Sequence, residues 1–240
     1  MDLNGAVMIV TGASSGIGAA TARAAAEAGA RVVLAARRYE RISALAEQLP
    51  DAIAVRCDVT EEGQVRNLVE TALERYGRVD ILINNAGQGL HEPLEDVDPD
   101  DFRAILELNV VAPLVVMQAV LPAMRSQGSG SIVNVSSGTA LRPLPGAGAY
   151  AASKAALSTL STVARAEFAD AGIVVSTVYP FITATEFHHV LRAGAGPTRR
   201  AGAPEPQKAE EVAEVILGLV RSGAERADLV PTRFGGPHPG

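Results

Sequence analysis

The sequence predicts an α/β protein with a doubly wound parallel sheet sandwiched between helices in three layers. Two observations carry that expectation: short Val- and Ile-rich runs alternate with longer helical stretches, and the runs are apolar throughout rather than on every second residue. Strands covered on both faces need that pattern. In chain order the strand candidates are 6–10, 31–36, 52–56, 80–83, 131–135 and 173–178, with a last short run near 228–230. Helix starts can be read from their caps. Asp98 before Pro99 offers a side-chain acceptor at the cap and a proline at the tolerated first position, and the long helix it opens is expected to run to about Arg125. Pro113 falls inside that helix and lacks the N–H that would bond the carbonyl of Asn109.

At 240 residues, 48% of them hydrophobic, the chain is sized for one domain around one substantial core. No stretch reads as an uninterrupted membrane-spanning segment, and the start, Met1-Asp2-Leu3-Asn4-Gly5, lacks the basic-then-apolar plan of a signal peptide, so a cytoplasmic protein is expected. The lone Cys57 and four scattered histidines predict neither a disulfide framework nor a metal site. A formal net charge of −6 speaks against a nucleic-acid surface, which needs a clustered basic face; work on a small molecule fits better. The stretch from Gly194 to Pro206 is dense in Gly and Pro around Arg199 and Arg200, and with the residues before it predicts a mobile substrate lid at about 185–206.

Directly after the first strand stands Thr11-Gly12-Ala13-Ser14-Ser15-Gly16-Ile17-Gly18, followed by an Ala-rich helix. Glycines there permit a tight turn and close approach of backbone to a pyrophosphate, and the helix N-terminus offers N–H groups to the phosphates. The spacing is Gly-x-x-x-Gly-x-Gly, and a glycine turn alone also suits simple helix-on-strand packing. The second strand ends Ala35-Ala36-Arg37-Arg38, where an NAD enzyme usually presents a carboxylate to the ribose. Arg37 and Arg38 instead supply charge suited to the 2′-phosphate of NADP, although two arginines opening a solvated helix read the same way.

Further along come Asn84-Asn85-Ala86-Gly87, Asn109, Ser136-Ser137 and Tyr150-Ala151-Ala152-Ser153-Lys154. An isolated Tyr-x-x-x-Lys pair is weak, because residues four apart share a face on any helix. As an ordered set, with the glycine turn, these segments resemble the short-chain dehydrogenase/reductase family from about Asn4 to about Val220. The resemblance implies a Rossmann-type fold, hydride transfer between NADP(H) and a carbonyl or alcohol carbon of a small molecule, and a homodimer or homotetramer. It makes Tyr150 the general acid or base, Ser137 the hydrogen-bond partner of the substrate oxygen, and Lys154 both the holder of the nicotinamide ribose and the ammonium that favours the phenolate. Asn109 would hold a water connecting Lys154 to solvent, though a buried asparagine satisfying its own amide is the plain alternative. Ser136 is expected to be tied to backbone. Gly12, Ser14, Ser15, Gly16, Ile17 and Gly18 would cradle the phosphates, Arg37 and Arg38 the 2′-phosphate, Asp58 and Val59 the adenine, and Asn85, Ala86 and Gly87 the neighbouring ribose. Pro180, Thr183 and Thr185 would face the nicotinamide, close to Tyr150 and Lys154. The chain departs from the family at Phe181, where glycine is usual.

With that relay in view, Pro113 has two readings: the carbonyl it frees at Asn109 takes an ordered water in line with Lys154, or the proline only bends the helix. The candidate substrate walls are Leu90, His91, Leu141, Arg142, Leu144 and Phe181, with His91 and Arg142 read as solvated loop residues. Their apolar majority favours an uncharged or partly apolar ketone or alcohol. Two other functions share these residues: an NADP-binding sensor without turnover, and an epimerase or dehydratase using the same Tyr/Lys pair.

Overall fold

The structure is a computed structural model, and it describes residues 1–189, 191–194, 205–234 and 236. Seven strands form one parallel sheet: β1 (Val7–Thr11), β2 (Arg31–Ala36), β3 (Ala52–Arg56), β4 (Ile81–Asn84), β5 (Gly130–Val135), β6 (Ile173–Tyr179) and β7 (Arg226–Asp228), in the order β3-β2-β1-β4-β5-β6-β7. The chain runs outward from β1 to β3 and then returns to place β4 on the other side of β1. That reversal opens a crevice at the carboxyl ends of β1 and β4, the place where such sheets bind ligands.

Alternate strand residues point to opposite faces, and each face carries its own core. Met8, Val10, Leu34, Ile83 and Val133 meet helix α1 (Gly16–Glu27) and helix α8 (Ala209–Ser222), while Val7, Ile9, Val33, Leu82 and Ile132 meet helices α3 (Glu62–Tyr76) and α5 (Ala112–Gln127). The expected three layers follow. Alanines on α1 let it approach α8 closely, with Ala20 against Ala209 and Ala213. The remaining helices are α2 (Tyr39–Ala46), α4 (Pro99–Leu106), the single turn α6 (Gly138–Leu141) and α7 (Gly148–Phe168).

The long helix departs from expectation in two ways. Asp98 caps it as predicted, accepting from the Asp100 N–H at 2.7 Å, and it runs over Pro99–Gln127, close to the expected end, but its 29 residues include a most apolar window of mean hydropathy 2.0. By length and composition this helix could cross a membrane, contrary to the sequence reading; here Val116, Met117, Val120 and Met124 are buried against the sheet. The second departure is at Pro113. Residues Glu107–Val111 form a π-helical turn in which the Ala112 N–H reaches back five residues to the Glu107 carbonyl. The missing proline donor is therefore absorbed by a widened turn, with α-helix on both sides. The Pro113 carbonyl is itself bonded by Asn84 Nδ2 at 3.2 Å.

The last strand also shifts, from the predicted 228–230 to Arg226–Asp228. Leu229 still donates to the Tyr179 carbonyl, but Val230 turns inward, its methyl 2.5 Å from where a Cβ on Gly138 would stand. Apolar Leu229-Val230 closes the strand end, and the more polar residues before it form the ladder.

Candidate active site

Every expected site segment lies at the carboxyl end of a strand or on the helix that follows it. Below the glycine turn is a set of hydrogen bonds that sequence reading missed. Thr11 Oγ1 donates to the Ile83 carbonyl (3.2 Å) and accepts from the N–H groups of Asn85 (3.0 Å) and Ala86 (3.1 Å). Asn85 Nδ2 returns bonds to the carbonyls of Thr11 (2.9 Å) and Gly12 (3.3 Å). Asn85 thus braces the turn, and nothing larger than glycine fits beside it. A Cβ on Gly18 would stand 2.5 Å from the Gly12 oxygen and 2.6 Å from Asn85 Nδ2. Gly12 and Gly16 have φ of +66° and +54°, the left-handed region that glycine adopts without strain.

The residues present fit a dinucleotide. Helix α1 starts at Gly16 with no side-chain cap on its N-terminus and no acidic residue in its first turn, so its N–H groups suit an anion. A cleft lined by Ser15, Gly16, Ala19, Arg23, Thr185 and Glu210 opens there. Of the two predicted arginines, Arg37 is largely exposed and reaches Asp58 at 3.8 Å. Arg38 is directed into the site: its Nε lies 3.0 Å from Ser14 Oγ and its Nη2 2.7 Å from Ser15 Oγ. Arg41, which the sequence reading passed over, joins it one helical turn on. Asp58 Oδ1 accepts from the N–H and hydroxyl of Thr60, its side chain remains 28% exposed, and the Val59 side chain is buried in the core.

Tyr150 and Lys154 stand one turn apart on α7, both buried, with Ser137 opposite at the head of α6. Burial pushes the Tyr150 phenol up to about 12, against a smaller lowering by Ser137. Lys154 Nζ donates to the Val135 carbonyl at 2.9 Å, and burial brings its ammonium down to about 8. Lys154 Nζ is thus seated against the end of β5, one helical turn from Tyr150. Ser136 behaves as expected, with its hydroxyl 3.1 Å from the Lys154 carbonyl and 2.8 Å from Ser158 Oγ.

The Asn109 amide has a partner for both of its N–H donors and for its oxygen. Its Oδ1 accepts from the Gln88 N–H (3.0 Å), and its Nδ2 donates to the Gln88 carbonyl (2.9 Å) and Ser153 Oγ (3.1 Å). The side chain therefore clamps the loop after β4 to α7, which is the plain alternative, and any relay water would fall to its main chain within the π turn. Gly87 completes the packing: a Cβ there would lie 3.1 Å from Asn109 Oδ1 and 3.3 Å from Lys154 Nζ.

Around Tyr150 the sequence expectations need several corrections. Leu90 is fully buried with Ile105 and Ala149 and is core rather than wall. His91 is not a solvated loop residue, since its ring meets the Tyr150 ring edge-on at 5.8 Å, and Phe187 covers Tyr150 from another side at 5.6 Å. Nor is Arg142 solvated, because it pairs with Asp228 at 3.2 Å. Leu141 is half-buried and Leu144 exposed. Phe181 needs no glycine-like backbone, as no non-glycine residue has positive φ among the described residues; its ring stacks on Phe234 at 5.3 Å. Pro180 accepts from the Gly138 N–H at 2.8 Å, and Thr183 Oγ1 donates to the Phe181 carbonyl at 2.9 Å. Thr185 packs its methyl against Gly16, and its Oγ1 accepts from the Phe187 N–H at 3.3 Å.

The predicted lid at 185–206 is described in part. Arg192 donates to the Gly89 carbonyl at 2.8 Å and pairs with Asp101 at 2.7 Å, while His91 N–H bonds the Ala193 carbonyl at 3.1 Å. Residue 190 and residues 195–204, which include Arg199 and Arg200, lie outside the described residues.

Comparison with known proteins bears on this site. The family signature described as short chain dehydrogenase matches residues 6–196. A Streptomyces violaceoruber protein named for ketoacyl reductase 2 of the granaticin polyketide synthase is 38% identical over 233 residues, covering 90% of each chain. The crystal structure of 3-ketoacyl-(acyl-carrier-protein) reductase from Brucella melitensis, complexed with NADH, is 30% identical with a TM-score of 0.87, covering 95% of this chain and 97% of that one. An alcohol dehydrogenase from the archaeon Thermococcus sibiricus, complexed with 5-hydroxy-NADP, is 27% identical with a TM-score of 0.83, covering 93% of this chain and 95% of that one. A nicotinamide-dependent oxidoreductase is thus supported by fold, signature and relatives together, and the chain belongs to the short-chain dehydrogenase family.

Proposed function

We propose that this oxidoreductase uses NADP(H) and interconverts a carbonyl and a secondary alcohol on an uncharged or partly apolar small molecule. The observation that carries the reading is Tyr150 and Lys154, both buried and one turn apart on α7, with Ser137 opposite them at the head of α6. A bound nicotinamide supplies or takes the hydride. Tyr150 Oη gives its proton to the substrate oxygen in reduction and recovers it in oxidation, and Ser137 Oγ holds that oxygen as negative charge grows on it. A phenol pushed up to about 12 is protonated at neutral pH and so stands ready as the acid. Lys154, brought down to about 8, exchanges protons near physiological pH while held by the Val135 carbonyl.

Support for NADP comes from Arg38 on Ser14 and Ser15 with Arg41 joined to it through Glu186, and from Ala36 in place of a ribose-binding carboxylate. His91 and Phe187 around Tyr150 support a partly apolar substrate, as does Arg142 being engaged by Asp228 rather than presented to an acid group. The ketoacyl reductase names of the relatives make a 3-oxo ester the first compound to try. A homodimer or homotetramer belongs to the same proposal, with Val111 and Val163 as exposed apolar side chains on the outer helices.

Tyr150→Phe removes the transferable proton and keeps the ring, so turnover of NADPH with a 3-oxo ester or diketone should fall at least ~100-fold with cofactor affinity little changed. A variant retaining a tenth of wild-type kcat would refute the acid/base role. NADPH should exceed NADH in kcat/KM, and Ala36→Asp with Arg38→Ala should narrow or reverse that order; equal use of NADH by the wild type would overturn the cofactor choice.

A further inference from the structure

Glu186 opens the short helical turn that follows the nicotinamide loop, and it reaches back across the glycine turn to α2. Its carboxylate accepts from Arg38 Nη1 at 2.9 Å and from Arg41 Nη1 at 2.9 and 2.8 Å. The same Arg38 donates to Ser14 Oγ at 3.0 and 2.8 Å and to Ser15 Oγ at 2.7 Å. Two guanidinium groups thus converge on one carboxylate, from a residue 148 positions from Arg38, while two hydroxyls stand beside them on the other side of Arg38. Thr185 beside it packs on Gly16, which holds the segment in place.

A donor set of this kind, with forked guanidinium groups and hydroxyls, is what a phosphate monoester requires. We propose that Glu186 is the internal competitor of the NADP 2′-phosphate: it occupies the guanidinium groups of Arg38 and Arg41 that the phosphate would use, and so sets how strongly the protein favours a 2′-phosphorylated cofactor. The inference rests on the NADP reading given above. The exchange favours phosphate, which brings nearly two charges and three acceptor oxygens against one charge and two oxygens. Arg38 first and Arg41 second hold the Glu186 carboxyl below the usual carboxylate range, so the competitor is ionised at neutral pH. The three side chains are 41 to 50% exposed, and water and salt screen the pair, so the competition should be worth several-fold in affinity rather than orders of magnitude.

The test is titration calorimetry of wild type, Glu186→Gln and Glu40→Gln with adenosine 2′,5′-bisphosphate and with AMP, which differ only in the 2′-phosphate. Glu40 lies on the same helix as Arg41 and pairs with Arg56, so it controls for loss of a nearby negative charge. The proposal expects wild type to prefer the bisphosphate and Glu186→Gln to bind it ~3- to 10-fold more tightly, with AMP and the Glu40→Gln variant unchanged and the gain shrinking in high salt. An unchanged or weakened bisphosphate affinity in Glu186→Gln overturns it, as does an equal gain in Glu40→Gln. If wild type binds the two ligands alike, the NADP reading falls and takes this proposal with it; a wild type that discriminates beside an unresponsive Glu186→Gln sinks the proposal alone. Arg41→Ala is the second variant. Weaker bisphosphate binding with unchanged AMP binding supports the shared site, and no change in either shows that Arg41 is not a phosphate partner and overturns the proposal.

Discussion

The floor of the site and its cover are built on different principles. Beneath the glycine turn, Thr11, Asn85, Asn109 and Lys154 each bond to main-chain atoms of a neighbouring strand or loop, and most of these groups are buried. Over Tyr150, residues 181–189 and 191–194 are held by a few backbone bonds, ring contacts and partly exposed ion pairs such as Arg192 with Asp101. A buried bond lost leaves an unpaired polar group, whereas a half-exposed ion pair lost is replaced by water. Floor substitutions should therefore weaken the fold, and cover substitutions should change substrate affinity while the fold stays intact.

The largest effect is expected at Gly18. A methyl there stands 2.5 Å from the Gly12 oxygen, and since neither backbone can yield without moving the turn, Gly18→Ala should cost about 3 kcal/mol in denaturant unfolding and abolish cofactor binding. Wild-type stability with normal binding would show that the turn is looser than its contacts imply. Asn85→Ala comes next, leaving the Thr11 and Gly12 carbonyls without their side-chain donor. A loss of about 2 kcal/mol is expected, together with weaker cofactor binding; a loss under half a kcal/mol would mean that water replaces the amide.

Lys154 gives a comparable effect that depends on pH. Its folded value, about 8, lies below the ordinary 10.5, so between these two values the unfolded chain binds more protons and this residue's contribution to stability rises with pH. Wild type should therefore gain on Lys154→Met by roughly 2 kcal/mol between pH 7.5 and 9.5, as read from urea unfolding of both proteins. A pH-independent difference would place the ammonium in water. Arg192→Ala tests the cover and should be the smallest: about 0.5 kcal/mol or less in stability, with KM for substrate raised a few-fold and kcat retained. A stability loss as large as that of Asn85→Ala would erase the distinction between floor and cover.

The sequence by itself determined the strand set to within a residue or two, the single long helix with its Asp98 cap, and the residues that gather at the sheet's carboxyl end. Those signals are local: apolar runs report burial on both faces, glycines report backbone that no side chain permits, and a cap sits beside the helix it starts. Pro113 was legible as a missing donor, but whether a kink, a free carbonyl or a widened turn would absorb it depended on the helices and Asn84 packed around it. The β7 register was settled by where Val230 could be buried. The partners of Arg38 and Arg41, the rings around Tyr150 and the seat of Lys154 on Val135 were decided only by the tertiary structure. Each joins residues from separate elements, and the free energy of such a pairing depends on distance, burial and competing partners, none of which exists until the sheet has closed the chain on itself.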